Sequence, residues 1–89
     1  MPLNLKLTRE RYDVELSHRA LVGGEKFQTY ERKSWSRRTL QRHVNALARE
    51  AYDRSGYVRD TTQIDGTVIF ARYCSGVVNE TMLTIHDFD

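Results

Sequence analysis

Arg37, Arg38, Arg42 and Arg49 recur at a spacing that gathers guanidinium groups along one side of a helix. At about 100° per residue, Arg38, Arg42, Asn45 and Arg49 share a face, while Leu40, Val44, Leu47 and Ala51 make an apolar stripe on the other. A guanidinium is a planar fork that takes a carboxylate or a phosphate through two parallel hydrogen bonds. The chemistry on offer is therefore anion recognition. Arg37 and Arg38 sharpen the point, because they stand in the first helical turn, where the helix dipole is positive. Each costs about 0.3–1 kcal/mol there, and beside exposed backbone N–H groups the two make a ready anion site. Lys33 and Trp35, just upstream, complete the candidate binding set. The plain alternative is a charged face that exists only to stay solvated.

Catalytic chemistry finds little support. His18, His43 and His86 are scattered, with no i,i+4 pair for zinc, and the single Cys74 cannot build a Cys-x-x-Cys site. His86 and Asp87 are adjacent; on a strand they would point to opposite faces and could not pair. Gly23-Gly24 lacks the further glycines and the Lys-Ser/Thr of a phosphate loop. One enzymatic reading survives as a lesser alternative, a small metal-independent ribonuclease toxin using Arg38, Arg42, His43, Tyr52 and Tyr73. It needs a base within reach of a ribose hydroxyl. The expectation is no enzyme, no metal and no cofactor.

The helix that carries the arginines is predicted from about Ser36 to Ser55. Ser36 is a good N-cap. Trp35 before it and Leu40 within it have the spacing of a hydrophobic staple. At the far end, Gly56 suits the left-handed closing residue, with Tyr57 folding back on Tyr52 as in a Schellman ending. Glu50 and Arg54 form an i,i+4 pair.

Strands flank this helix. Leu3, Leu5 and Leu7 alternate with polar residues and read as a first strand. Tyr12, Val14 and Leu16 alternate again with the phase slipped by one, which a turn or bulge near Thr8–Arg11 would explain. Val22-Gly23-Gly24-Glu25 is a two-residue hairpin signal that pairs His18 with Thr29 and Ala20 with Phe27. A second hairpin is expected at Ile64-Asp65-Gly66-Thr67, flanked by 57–63 and 68–73. The apolar run Val68-Ile69-Phe70-Ala71 suggests a strand covered on both faces. Ser75-Gly76 marks a turn, and Thr81–Phe88 alternates as a last strand. The fold class is α+β: an antiparallel sheet of about four to six strands with one long helix across one face, in the order β-β-β-α-β-β-β. The stripe of the helix should meet Val14, Leu16, Phe70 and Ile85.

The 89 residues suffice for one domain, 1–89. Net charge is only +2 and the pI about 8.9, short of the excess expected of an obligate nucleic-acid binder. The distribution says more. Residues 32–54 hold Arg32, Lys33, Arg37, Arg38, Arg42, Arg49 and Arg54 against Glu50 and Asp53. The last stretch holds Glu80, Asp87 and Asp89 and no Lys or Arg, so the molecule is electrically polarised. No apolar run approaches the roughly 20 residues of a membrane span. A lone cysteine fits a reducing interior as a buried, inert thiol, and the expected location is the cytoplasm.

Two binding modes follow. In one, the arginine face docks on an acidic or nucleic-acid-binding surface of a larger protein, Arg, Tyr and Trp being the residue types of interface hot spots. In the other, Arg37, Arg38, Arg42 and Arg49 grip DNA or RNA phosphates, with Tyr30, Trp35, Tyr52 and Tyr57 offering stacking surfaces. In its size, one-domain build and lack of catalytic motifs the chain looks like the small proteins that phages and mobile elements use against host defence, such as anti-CRISPR proteins. That resemblance implies an inhibitor or modulator and favours the first mode; it rests on no motif and assigns no residue. A homodimer through an exposed edge, Leu3–Leu7 or Met82–Phe88, is a further expectation.

Overall fold

The structure is a computed structural model that describes residues 3, 5–20 and 26–88, the side chain of Cys74 excepted. The Val22–Glu25 turn, Asp89 and the expected burial of the Cys74 thiol lie outside the described residues. Five strands and two helices follow one another as β1 (Arg11–Ala20), β2 (Gln28–Ser36), α1 (Arg37–Asp53), β3 (Tyr57–Asp60), α2 (Thr62–Asp65), β4 (Thr67–Cys74) and β5 (Val77–Ile85). The strands form one sheet in the order β2-β1-β5-β4-β3, each pair antiparallel. The fold is α+β, with the helix between strands two and three.

The chain starts its helix at one sheet edge, β2, and re-enters the sheet at the other, β3. Seventeen residues of α1 rise about 25 Å, and five strands span about 19 Å between the outer two. One helix is thus long enough to cross the sheet obliquely. Register divides the side chains between two faces. Tyr12, Val14, Leu16, Trp35, Val68, Phe70, Leu83 and Ile85 face α1 and join Leu40, Val44, Ala48 and Ala51 in the core. The contacts expected of Val14, Leu16, Phe70 and Ile85 are present. Val68 to Ala71 are all buried, and β4 lies inside the sheet as its apolar run implied.

Several expectations are corrected. The expected first strand is absent among its described residues: Leu3 and residues 5–7 are irregular and lie beside α1, with Leu7 N–H bonded to Leu5 C=O at 3.0 Å, and Asn4 lies outside the described residues. The hairpin register holds from Arg11↔Ser36 to Leu16↔Glu31, then shifts at Leu16/Ser17, so His18 faces Gln28 rather than Thr29. Tyr30 is the extra residue of that bulge. The second hairpin is longer than a two-residue turn, because Thr62–Asp65 forms the single-turn α2 and Gly66 (φ 73°) closes it. The last strand stops at Ile85, and His86-Asp87 is a turn. Ala48 is buried where Leu47 was expected to be, and Leu47 is half-buried. The sheet edges are β2 and β3; β5 pairs on both sides, so Met82–Phe88 offers no edge for a homodimer. The Ser75-Gly76 turn stands, with both residues at positive φ (52° and 79°).

Candidate anion-binding face of the helix

Ser36 caps α1 as expected, its hydroxyl accepting from Thr39 N–H at 3.2 Å. At the other end Ser55, not Gly56, is the left-handed residue (φ 56°). Ser55 N–H bonds Tyr52 C=O (3.2 Å) and Gly56 N–H bonds Ala51 C=O (2.7 Å), the two bonds of a Schellman ending set one residue earlier than expected. Gly56 is required for a different reason. A Cβ there would lie 1.7 Å from Ala71 O, so the chain turns against β4 where only glycine fits. Tyr57 does not complete the ending against Tyr52; its hydroxyl donates to Glu80.

With both ends fixed and the apolar stripe buried, Arg37, Arg38, Arg42 and Arg49 are all exposed. Among the described residues no carboxylate lies within 4.0 Å of any of them. Three other arginines are paired, although exposed Arg59 on β3 also has no carboxylate within 4.0 Å among the described residues. Arg19 pairs with Glu80 at 2.7 Å, Arg32 with Asp13 at 2.9 Å, and Arg72 with Glu50 across the helix–sheet interface. Asn45 is half-buried and accepts from Gln41 Nε2 at 3.0 Å, so its amide helps hold Gln41. Gln41 in turn donates to Leu3 O (2.7 Å) and accepts from Leu5 N–H (3.2 Å). The N-terminal segment is thereby fixed beside the helix. Leu5, Leu7, Arg37, Arg38, Gln41, Arg42 and Asn45 line one open groove.

The remaining two predicted site residues fall elsewhere. Trp35 is 5 % exposed and packs edge-on to His43, ring centroids 4.7 Å apart, so it belongs to the core and cannot stack on a base. Its indole N–H has no acceptor among the described residues. Lys33 is exposed on β2, 3.7 Å from Glu31 and 5.9 Å from the Trp35 ring centre. Neither joins the arginine face. Burial beside Trp35 lowers His43 below the ordinary histidine value, against the carboxylate of Glu31, which acts to raise it.

Sequence reasoning missed the face of the sheet that carries no helix. There Glu15 accepts from Thr29 Oγ1, lies 2.7 Å from His86 Nε2 and 4.0 Å from Arg32. The Thr29 and His86 bonds hold Glu15 below the usual carboxylate range, and Arg32 does the same for Asp13. Nearby, Glu80 is 3 % exposed between Arg19 and Tyr57. A signal was present: the expected hairpin register sets Glu15 directly opposite Arg32. Asp13, Glu15 and Glu80 are thus matched by Arg32, His86 and Arg19. Among the described residues, no group of three or more His, Cys, Asp or Glu is placed to hold a metal ion. No described helix is long and apolar enough to cross a membrane. No family model, curated protein or solved structure matches this chain.

Proposed function

We propose that this is a small non-enzymatic binding protein that docks through the exposed face of α1 onto an acidic surface of a larger protein in the cytoplasm. One contrast carries the reading: Arg19, Arg32 and Arg72 are matched to carboxylates of this chain, whereas the four arginines of the helix face have none among the described residues. Two arginines in the first turn cost the fold stability and gain nothing inside it. A carboxylate-rich partner supplies the missing counter-charges through paired N–H···O bonds. An inhibitor of the anti-defence kind is one role for such a clamp, since covering an acidic patch needs no chemistry of its own. Direct nucleic-acid binding is the weaker reading, because net charge is only +2 and the buried Trp35 removes one of the expected stacking surfaces.

The test replaces Arg38, Arg42 and Arg49 together with Glu. All three are exposed, so urea unfolding should change little. Native and variant proteins are then compared, over a salt series, for binding to duplex DNA, single-stranded RNA and proteins of a cell lysate, with identification of what is captured. Recovery of one defined acidic protein by the native form alone supports the docking mode. Steeply salt-dependent nucleic-acid binding lost in the variant replaces it with the phosphate-gripping mode. Equal behaviour of the two proteins throughout makes the arginine face a solvated surface.

A further inference from the structure

The groove beside α1 has two unlike walls. Arg37, Arg38 and Arg42 line it from the helix, and Leu5 and Leu7 line it from the N-terminal segment. Gln41 ties that segment to the helix through Leu3 O and Leu5 N–H, so the two walls are held at a fixed spacing. Leu5 is buried, but Leu7 is only half-buried and leaves apolar surface in the groove.

Arg38 and Arg42 are one turn apart, a rise of about 6 Å along the helix axis. In an extended chain, side chains on one side recur every two residues, about 6.6 Å. An extended segment running along the groove therefore sets two successive same-side carboxylates against Arg38 and Arg42. The residue between them points the other way, towards Leu7. An α-helical ligand with the same alternation would scatter its acids around its axis. We infer that the groove recognises an extended acidic segment of a partner protein in which acidic and apolar residues alternate, the acids meeting Arg38 and Arg42 and the apolar residue meeting Leu7. This rests on the docking mode proposed above and adds which segment is read and by which wall. The charge complementarity is direct, because no described carboxylate lies within 4.0 Å of either arginine.

Two labelled peptides of one composition separate the ideas by fluorescence anisotropy. In the first, Glu and Leu alternate; in the second, they form separate blocks. Native protein should bind the alternating peptide about tenfold more tightly than the block peptide. Arg38→Glu with Arg42→Glu should abolish binding of both. Leu7→Ser should erase the preference while leaving block-peptide binding within about twofold. Arg49→Glu, outside the groove, should leave the ratio of the two affinities unchanged. Equal affinity of native protein for both peptides, still lost in the double arginine variant, overturns the groove inference and leaves the docking mode standing. Failure of both peptides to bind, with single-stranded RNA bound instead, overturns both. The peptide comparison on native protein is decisive by itself, so an unstable Leu7 variant does not blunt it.

Discussion

Glu80 is the most buried charge in the sheet, at 3 % exposure on the side without the helix. Burial alone would push its carboxyl up; hydrogen bonds from Tyr57 and Arg19 overcome that and hold it below the ordinary value of 4.5. A carboxyl held low in the fold adds stability that is present above the unfolded value and is lost as pH falls through the folded one. Glu80→Gln keeps an oxygen for the Tyr57 hydroxyl but removes the counter-charge of Arg19, whose side chain is 29 % exposed. We expect a loss of about 1–3 kcal/mol at pH 7. Below pH 4.5 the gap between native and variant should narrow, as urea unfolding across pH would show. An unchanged gap into strong acid would mean that the pair acts through packing alone.

At the scale of elements, the tightest constraint is the meeting of helix end and strand at Gly56. Gly56→Ala drives a methyl group into the carbonyl of Ala71, a backbone atom that cannot step aside. Overpacking of this kind costs about 1–3 kcal/mol, more where backbone must shift. Chemical denaturation should register it as a lower midpoint with an unchanged slope. Much of this architecture was legible because local signals and long-range pattern agreed. The Ser36 cap, the apolar run of β4 and the hairpin register from Arg11 to Leu16 all stood. What failed did so for physical reasons. Alternation at Leu3, Leu5 and Leu7 says that alternate side chains meet an apolar surface. It does not say that the surface is a helix flank rather than a neighbouring strand. Asp65-Gly66 correctly marked a reversal, but a one-turn helix preceding it moved the register. The bulge at Tyr30 has no glycine to announce it. Of the candidate site, the arginines could be placed by helical period alone. The leucine wall opposite them depends on a tertiary bond from Gln41, which no local pattern encodes.

Across the whole molecule, matched and unmatched charges are unevenly distributed. The helix-free side holds Asp13, Glu15 and Glu80 already matched with Arg32, His86 and Arg19. The exposed face of α1 holds Arg37, Arg38, Arg42 and Arg49 without such partners among the described residues, although Arg72 beneath the helix pairs with Glu50. A net charge of +2 therefore understates what an acidic partner meets on approach to α1. The field is also short-ranged. At physiological ionic strength screening sets in over about 8 Å, while Arg38 and Arg49 are separated by about 16 Å along the helix axis and Arg38 and Arg42 by about 6 Å. Against a bound acidic partner, double-mutant cycles to Ala should reflect this geometry. The Arg38–Arg49 cycle should close within about 0.5 kcal/mol of additivity, whereas Arg38–Arg42 should show coupling beyond that. Raising salt should weaken each single contact yet leave the first cycle additive, because two arginines that do not sense one another have no shared term to screen. Strong coupling between Arg38 and Arg49 would instead mean that one anionic surface engages the face as a unit, and the groove would then be only part of a broader electrostatic footprint.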